Sequence, residues 1–425
     1  MRRNIGLLLF LAAGCLAQAP IKLTLQEAEA LAVKNHPAVS AALLRALASN
    51  QVTTEVRSAY FPSVTANVTA AGALDQSRLA AGLLNNPSVY NRVATGVTIG
   101  QVLTDFGRTS NLVASARERA EAQQAGAQAT RADVLAQVDR AYFAALRSES
   151  VLTVARQTVA ARQLVSDQVT ALAASKLKSG LDVSFANVNL SEAKLLLVSA
   201  QNEAEAARAE LAAALGYPGR QNLQLEDAPM PPELVSDVTA LVGEALHNRP
   251  ELAQLRAEQT AAESFAKAER ALAFPTVSAL AGVGVVPVRD DTELRGRYGA
   301  LGLNIAVPLF NGHLFSARRA EAELRAQAAQ KIVADLENRV ARDVQVAWLN
   351  ANTAHDRMGL TAELRNEANQ ALDLAQTRYD LGLSSIVELS QAQLNKTSAE
   401  IANAAARYDY QLQRAVLAYQ VGELK

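Results

Sequence analysis

After Pro62 the chain alternates in polarity. Ser63, Thr65, Asn67 and Thr69 are polar, and Val64, Ala66, Val68 and Ala70 are apolar. A period of two predicts a strand over about 62–72 with one wet face and one apolar face. A second strand is predicted over 93–103, with Val93, Thr95, Val97 and Ile99 on one face. Elsewhere the pattern is helical. Thr24-Leu-Gln-Glu27 is a capping box that opens a helix over 24–33. Asn35-His36-Pro37 interrupts it, and a helix resumes over 38–59. From 108 to 175 there is no proline and one glycine, Gly126, which predicts a single helix on the order of 100 Å long. Residues 176–180 turn the chain, and 181–215 form a helix running back. Helical pattern of this length implies coiled-coil packing.

Gly216-Tyr-Pro-Gly219 stops that helix, and the proline-rich stretch 217–236 reads as a linker. The order of elements then repeats. Phe61-Pro62 recurs as Phe274-Pro275 and Asn35-His36-Pro37 as Asn248-Arg249-Pro250, both at an offset of 213. Gly107 aligns with Gly312 and Tyr142-Phe143 with Ala347-Trp348 at 205. Gly180-Leu181 aligns with Gly382-Leu383 at 202, and Gly216 with Gly422 at 206. The mature chain is an internal duplication: 20–216 and 237–425 joined by the linker. On this alignment the first copy is four residues shorter between its tip turn and its closing glycine.

Composition narrows the class. Half of the 425 residues are hydrophobic but only 4% are aromatic, so alanine fills the apolar positions and helices pack closely. A formal net charge of −1 leaves no broad basic surface for nucleic acid. Residues 1–19 read as a leader, with Arg2 and Arg3 ahead of a short apolar run. Cys15 is the only cysteine. It either carries a lipid, as its setting after Leu11-Ala-Ala-Gly14 suggests, or is discarded with the leader, which is the preferred reading. No later stretch is apolar enough for a transmembrane helix, so the exported chain is either soluble or embedded through its strands.

The duplication gives four strands, near the length that crosses an outer membrane at a tilt. Four strands cannot close a barrel, and lipid does not tolerate an open edge, so several chains must share one. Three chains would give twelve strands. The polar faces carry Thr, Ser, Asn and Gly, which suit a wet lumen. Tyr60, Phe61, Phe274 and Phe310 sit where an aromatic belt is expected, beside Pro62, Pro275 and Pro308.

Val307-Pro-Leu-Phe-Asn-Gly312 and Arg378-Tyr-Asp-Leu-Gly-Leu-Ser-Ser385, followed by Glu388-Leu389, complete a pattern that resembles the TolC family of outer-membrane efflux channels. The resemblance covers nearly the whole mature chain. It implies a mixed α and β, all-antiparallel design: a homotrimer with a 12-stranded β-barrel in outer-membrane lipid and a coiled-coil α-helical barrel in the periplasm. It also implies an exit duct for efflux or type I secretion, docked through a periplasmic adaptor to an inner-membrane pump of the RND, ABC or MFS type. Gly180, Leu181, Gly382 and Leu383 match the tips that meet the adaptor. Tyr379 matches a residue that holds the tip closed, and Glu388 an acidic position ringing the entrance. Ser384 stands where an arginine would lock the gate.

Chemistry is not indicated. His36, His247, His313 and His355 are scattered without metal-ligand spacing, and no nucleophile, phosphate-loop or dinucleotide motif occurs. The expected protein is no enzyme and needs no cofactor or metal. A structural or adhesive periplasmic coiled coil is the competing reading, and the membrane-length strands argue against it. Small drugs, metal ions and secreted proteins are all compatible cargoes.

Overall fold

The structure, a computed structural model, describes residues 21–72, 91–219, 221–232, 234, 237–290 and 295–424. The leader with Cys15 lies outside them. In chain order the elements are β1 (Ile21–Leu23), α1 (Leu25–Asn35), α2 (Pro37–Arg57), β2 (Ser63–Ala71), β3 (Arg92–Thr104), α3 (Arg108–Ala174) and α4 (Gly180–Ala214). There follow β4 (Leu223–Leu225), α5 (Val238–Asn248), α6 (Pro250–Arg270), β5 (Thr276–Arg289), β6 (Arg297–Ala306), α7 (Leu314–Asp380) and α8 (Ile386–Val421). No described helix is long and apolar enough to cross a membrane.

The duplication is visible in backbone detail. His36 and Arg249 are both extended ahead of a proline that starts the next helix, because a residue before proline is pushed out of the helical region. Short 3₁₀ turns, Ser58–Tyr60 and Ala271–Ala273, lead into the paired strands at the same offset of 213. After the strands one offset, 206, holds throughout. Both long helices have 67 residues. Their starts match as well: Phe106 and Gly107 have positive φ, and so do Gly312 and His313. Gly107 therefore corresponds to His313, and Tyr142 to Trp348, which corrects the 205 alignment. The whole change in offset falls within the two strand hairpins.

The chain divides into two units that cut across the duplication. One comprises Ser40–Thr130 and Val242–Arg342. It holds a four-stranded sheet, ordered β2-β3-β5-β6, antiparallel throughout. The register sets Val64, Val97, Val283 and Ile305 on one face, and Ser63, Thr65, Asn67, Thr98, Ser278 and Asn304 on the other. Val64, Val68, Val283, Leu301, Leu303 and Ile305 are exposed, as are Tyr60, Phe61, Phe274 and Phe310 at the strand margins. A long apolar face in the open on a sheet is a surface awaiting another phase. On the polar face the Tyr298 ring lies across Gly96 and Gly284, where a Cβ would overlap it. In the same unit α3 and α6 approach closely. Gly126 faces Gln254, Ser115 Oγ donates to the Ala261 carbonyl at 2.8 Å, and buried alanines (Ala116, Ala120, Ala261, Ala268) form the seam. The single glycine of α3 is thus a point of close helix contact.

The other unit comprises Met1–Val39, Arg131–Leu241 and Asp343–Lys425. Its core joins Leu23, Ala32, Val138, Tyr142, Leu211, Leu215 and Leu223. Each large side chain buried there contributes about 1.5–3 kcal/mol. The stretch read as a linker is partly built into this core. β4 pairs in parallel with β1, from Ile21↔Leu223 to Leu23↔Leu225. Three-residue strands are too short for a periodicity to reveal. The Tyr142 hydroxyl pins them, 2.9 Å from the Leu23 carbonyl oxygen and 2.5 Å from that of Glu226, and burial pushes its pKa up to about 12.

Three substitutions test this packing. Tyr142→Phe leaves the Glu226 carbonyl without its side-chain donor and should destabilise by about 1–2 kcal/mol, measured by denaturant unfolding of the solubilised protein. Gly284→Ala should abolish assembly because its Cβ meets the Tyr298 ring and the Thr95 carbonyl, whereas Gly302→Ala, which meets no atom within 4 Å, should assemble normally. Heat-resistant oligomer on a gel reads the difference.

Candidate functional site

The residues singled out in the sequence gather at the two turns that join α3 to α4 and α7 to α8, within one unit. Both turns have the same backbone. The Leu177 N–H donates to the Leu172 carbonyl at 2.9 Å, and the Leu383 N–H to the Arg378 carbonyl at 2.7 Å. These six-residue closures need a left-handed residue just past the helix. Lys176 (φ 60°) fills that position in the first turn and Gly382 (φ 72°) in the second. Ser179 and Ser385 then cap the return helices, each accepting from the N–H three residues on.

The turns therefore correspond at 206, not 202. Gly382 is the counterpart of Lys176, and Gly180 is simply the first residue of α4. The four-residue shortening disappears with that correction. Glycine identity misled the alignment because a lysine holds the left-handed position, at a cost of about 1 kcal/mol. The signal that could have found it is the serine cap with an acid three residues later, Ser179-x-x-Asp182 and Ser385-x-x-Glu388.

The two acids behave differently. Asp182 completes its capping box: the Ser179 N–H and hydroxyl donate to it at 2.9 and 2.8 Å. Those bonds hold its carboxyl below the usual range, with Lys178 adding to the effect. Glu388 instead turns toward Arg378, with Oε1 3.3 Å from Nε, and both side chains are well exposed. Tyr379 is 5% exposed, packed among Val169, Ala186, Ile386 and Leu389. The Lys178 ammonium lies 3.8 Å from its ring centroid. Burial, then Asp182 and Asp380, raise its hydroxyl's pKa. Among the described residues neither that hydroxyl nor the buried Ser384 Oγ has a hydrogen-bond partner.

Around this small core the tips are apolar outside. Leu181 and Leu383 are exposed, and so are Leu177 and Leu381, which the sequence reading did not single out. Four open leucines on two adjacent turns form an exposed apolar patch. Among the described residues no group of three His, Cys, Asp or Glu side chains could hold a metal ion.

Comparison with known proteins identifies the family and the fold. The outer membrane efflux protein family matches residues 30–217 and 241–423, one segment in each copy of the duplication. Outer membrane protein OprJ of Pseudomonas aeruginosa is 23% identical over 326 residues, spanning 75% of this chain and 67% of OprJ. Outer membrane protein TolC of Salmonella enteritidis is 23% identical over 351 residues, 79% of this chain and 70% of TolC. The solved outer-membrane channel OprN superposes with a TM-score of 0.82 at 21% identity, covering 94% of this chain and 89% of OprN, so the fold is that of these channels. With the family matched across both halves and the fold shared, this chain belongs to the TolC-like outer membrane efflux proteins.

Proposed function

We propose that three copies of this chain form a passive duct across the outer membrane. The observation that carries this reading is the four-stranded sheet whose two outer edges, on β2 and β6, have no partner strand among the described residues. Its strands have 9, 13, 14 and 10 residues and its apolar face is bare. Three such sheets would make a 12-stranded barrel with the apolar face toward lipid and the Thr, Ser and Asn face toward a wet lumen. The long helices would project into the periplasm. There the leucine-rich tips, Gly180, Leu181, Gly382 and Leu383 among them, would meet a periplasmic adaptor, and an inner-membrane pump would supply cargo and energy. Tyr379 would hold the tip, and Glu388 would line the entrance beside Arg378. The chain itself would carry out no reaction.

Conductance of the purified protein in a planar bilayer, with its mass measured in parallel, tests the duct. Discrete conductance steps from a particle of three chains are expected; a monomer that does not insert would sink the reading. Gly382→Val puts a β-branched residue at φ 72° and should impair export while leaving the trimer intact. Export at the wild-type level would refute the docking role of that turn. Glu388→Gln removes a carboxylate and leaves Arg378 uncompensated, so the reversal potential in a salt gradient should move toward anions. An unchanged potential would place Glu388 away from the conduction path.

A further inference from the structure

A cavity of about 650 Å³ opens in the unit that contains the tips. Its wall comes from α1, α3, the segment after β4, and α8. That volume lies in the range of small-molecule sites, roughly 300–1,000 Å³. Much of the lining is carbon, from Leu25, Phe143, Pro229, Pro231, Ala415 and Ala418.

The polar part of the wall is incomplete. Asp139 is 2% exposed, and its Oδ1 has no hydrogen-bond partner among the described residues. Gln411 is 3% exposed. Its Nε2 donates to the Ala228 carbonyl at 2.8 Å, which fixes the amide, and its Oε1 has no partner. Leaving two such acceptors unpaired costs about 1–3 kcal/mol each. Both line the one cavity: Gln411 Oε1 lacks a donor, and Asp139 has the acidic Glu29 as its side-chain neighbour. The charged groups facing it are Glu29 from α1, Glu226 and Asp227 from the segment after β4, and Arg414 from α8. Arg407 engages Asp227 at 2.6 Å, and Glu29 lies within hydrogen-bonding reach of Asp139. The balance is acidic, which disfavours an anion. A hard metal ion needs several oxygen ligands to replace its water, and carbon fills most of this wall.

We propose that this cavity binds a small organic ammonium ion with an apolar body. The ammonium offers three donors and no acceptor, matching the acceptors left open by Asp139 and Gln411. Its carbon frame covers the Phe143 and proline wall. Burial first, then the neighbouring charge and hydrogen bond of Glu29, push the Asp139 carboxyl up to about 8. Cation binding favours the ionised carboxylate, so a proton leaves as the ligand enters, and affinity rises with pH until Asp139 is already ionised.

The test is calorimetric titration of the full-length, detergent-solubilised protein with phenethylammonium chloride, with 2-phenylethanol as the neutral isostere. Saturable binding of one ammonium per chain is expected, weakening about tenfold from pH 7.5 to 6.5, with no binding of the alcohol. Asp139→Asn should lose at least tenfold in affinity and flatten the pH dependence, and Ala415→Trp, which fills the cavity, should abolish binding. No saturable heat, equal binding of the alcohol, or full affinity and pH slope in Asp139→Asn would each overturn the proposal. If Asp139→Asn does not fold, the alcohol control and Ala415→Trp decide. The titration reads neither export nor conductance, so its failure is separate from failure of the duct.

Discussion

Backbone hydrogen bonding in lipid is the constraint on which the rest of this chain depends. A strand edge exposed to hydrocarbon leaves several N–H and C=O groups unpaired, each at several kcal/mol. Among the described residues β3 and β5 are paired on both sides, while β2 and β6 each keep an edge. Strands from further copies, as proposed above, would satisfy those edges. A separate feature, side-chain packing over glycines, marks the polar face. Tyr298 covers Gly96 and Gly284 and shields a stretch of sheet that has no Cβ of its own.

Much of the fold could be read from the chain because its signals are local and repeated. Alternation placed the strands, prolines marked the helix breaks, and the absence of proline exposed the 67-residue helices. The errors came where identity substituted for conformation. Gly180 was paired with Gly382 because both are glycine, yet the backbone pairs Gly382 with Lys176. The left-handed position tolerates lysine at modest cost, so composition hid it, while the serine caps kept a constant spacing. The parallel pairing of β1 with β4 was hidden for a different reason. It joins residues about 200 positions apart through three-residue strands, held in register by the buried Leu23 and Leu223 and by the Tyr142 hydroxyl.

The two tips illustrate how one backbone can present different chemistry. Both close with the same hydrogen bonds and both carry an acid three residues past the serine cap. In the first, Asp182 is spent on its own cap and Lys178 lies over the Tyr379 ring. In the second, the Glu388 carboxylate turns from the Ser385 cap toward Arg378 and stays in the open. A carboxylate used as a cap is already hydrogen-bonded and has little left to offer a passing ion. One paired across solvent remains available, because an exposed ion pair is worth only about 0–1 kcal/mol. The residue types at both sites were legible in the sequence. Their division of labour was not, since it depends on rotamers.

Asp139 departs from the economy of the rest. Most buried positions in this protein are alanine, leucine or valine, and its charges lie largely at the surface. An aspartate in an unfolded chain ionises near pH 4. Folding lifts Asp139 to about 8, so the fold favours its protonated form. That preference helps stability fully below the unfolded value and is lost as pH rises through the folded one. At neutral pH the residue is therefore a liability where an alanine or leucine would pack without penalty. Its partner Glu29 lies 110 positions away, so no motif announced the pair. A costly carboxyl, an unsatisfied amide oxygen and an apolar wall around one cavity are hard to account for as packing, and simple to account for once a cation is there to accept the charge.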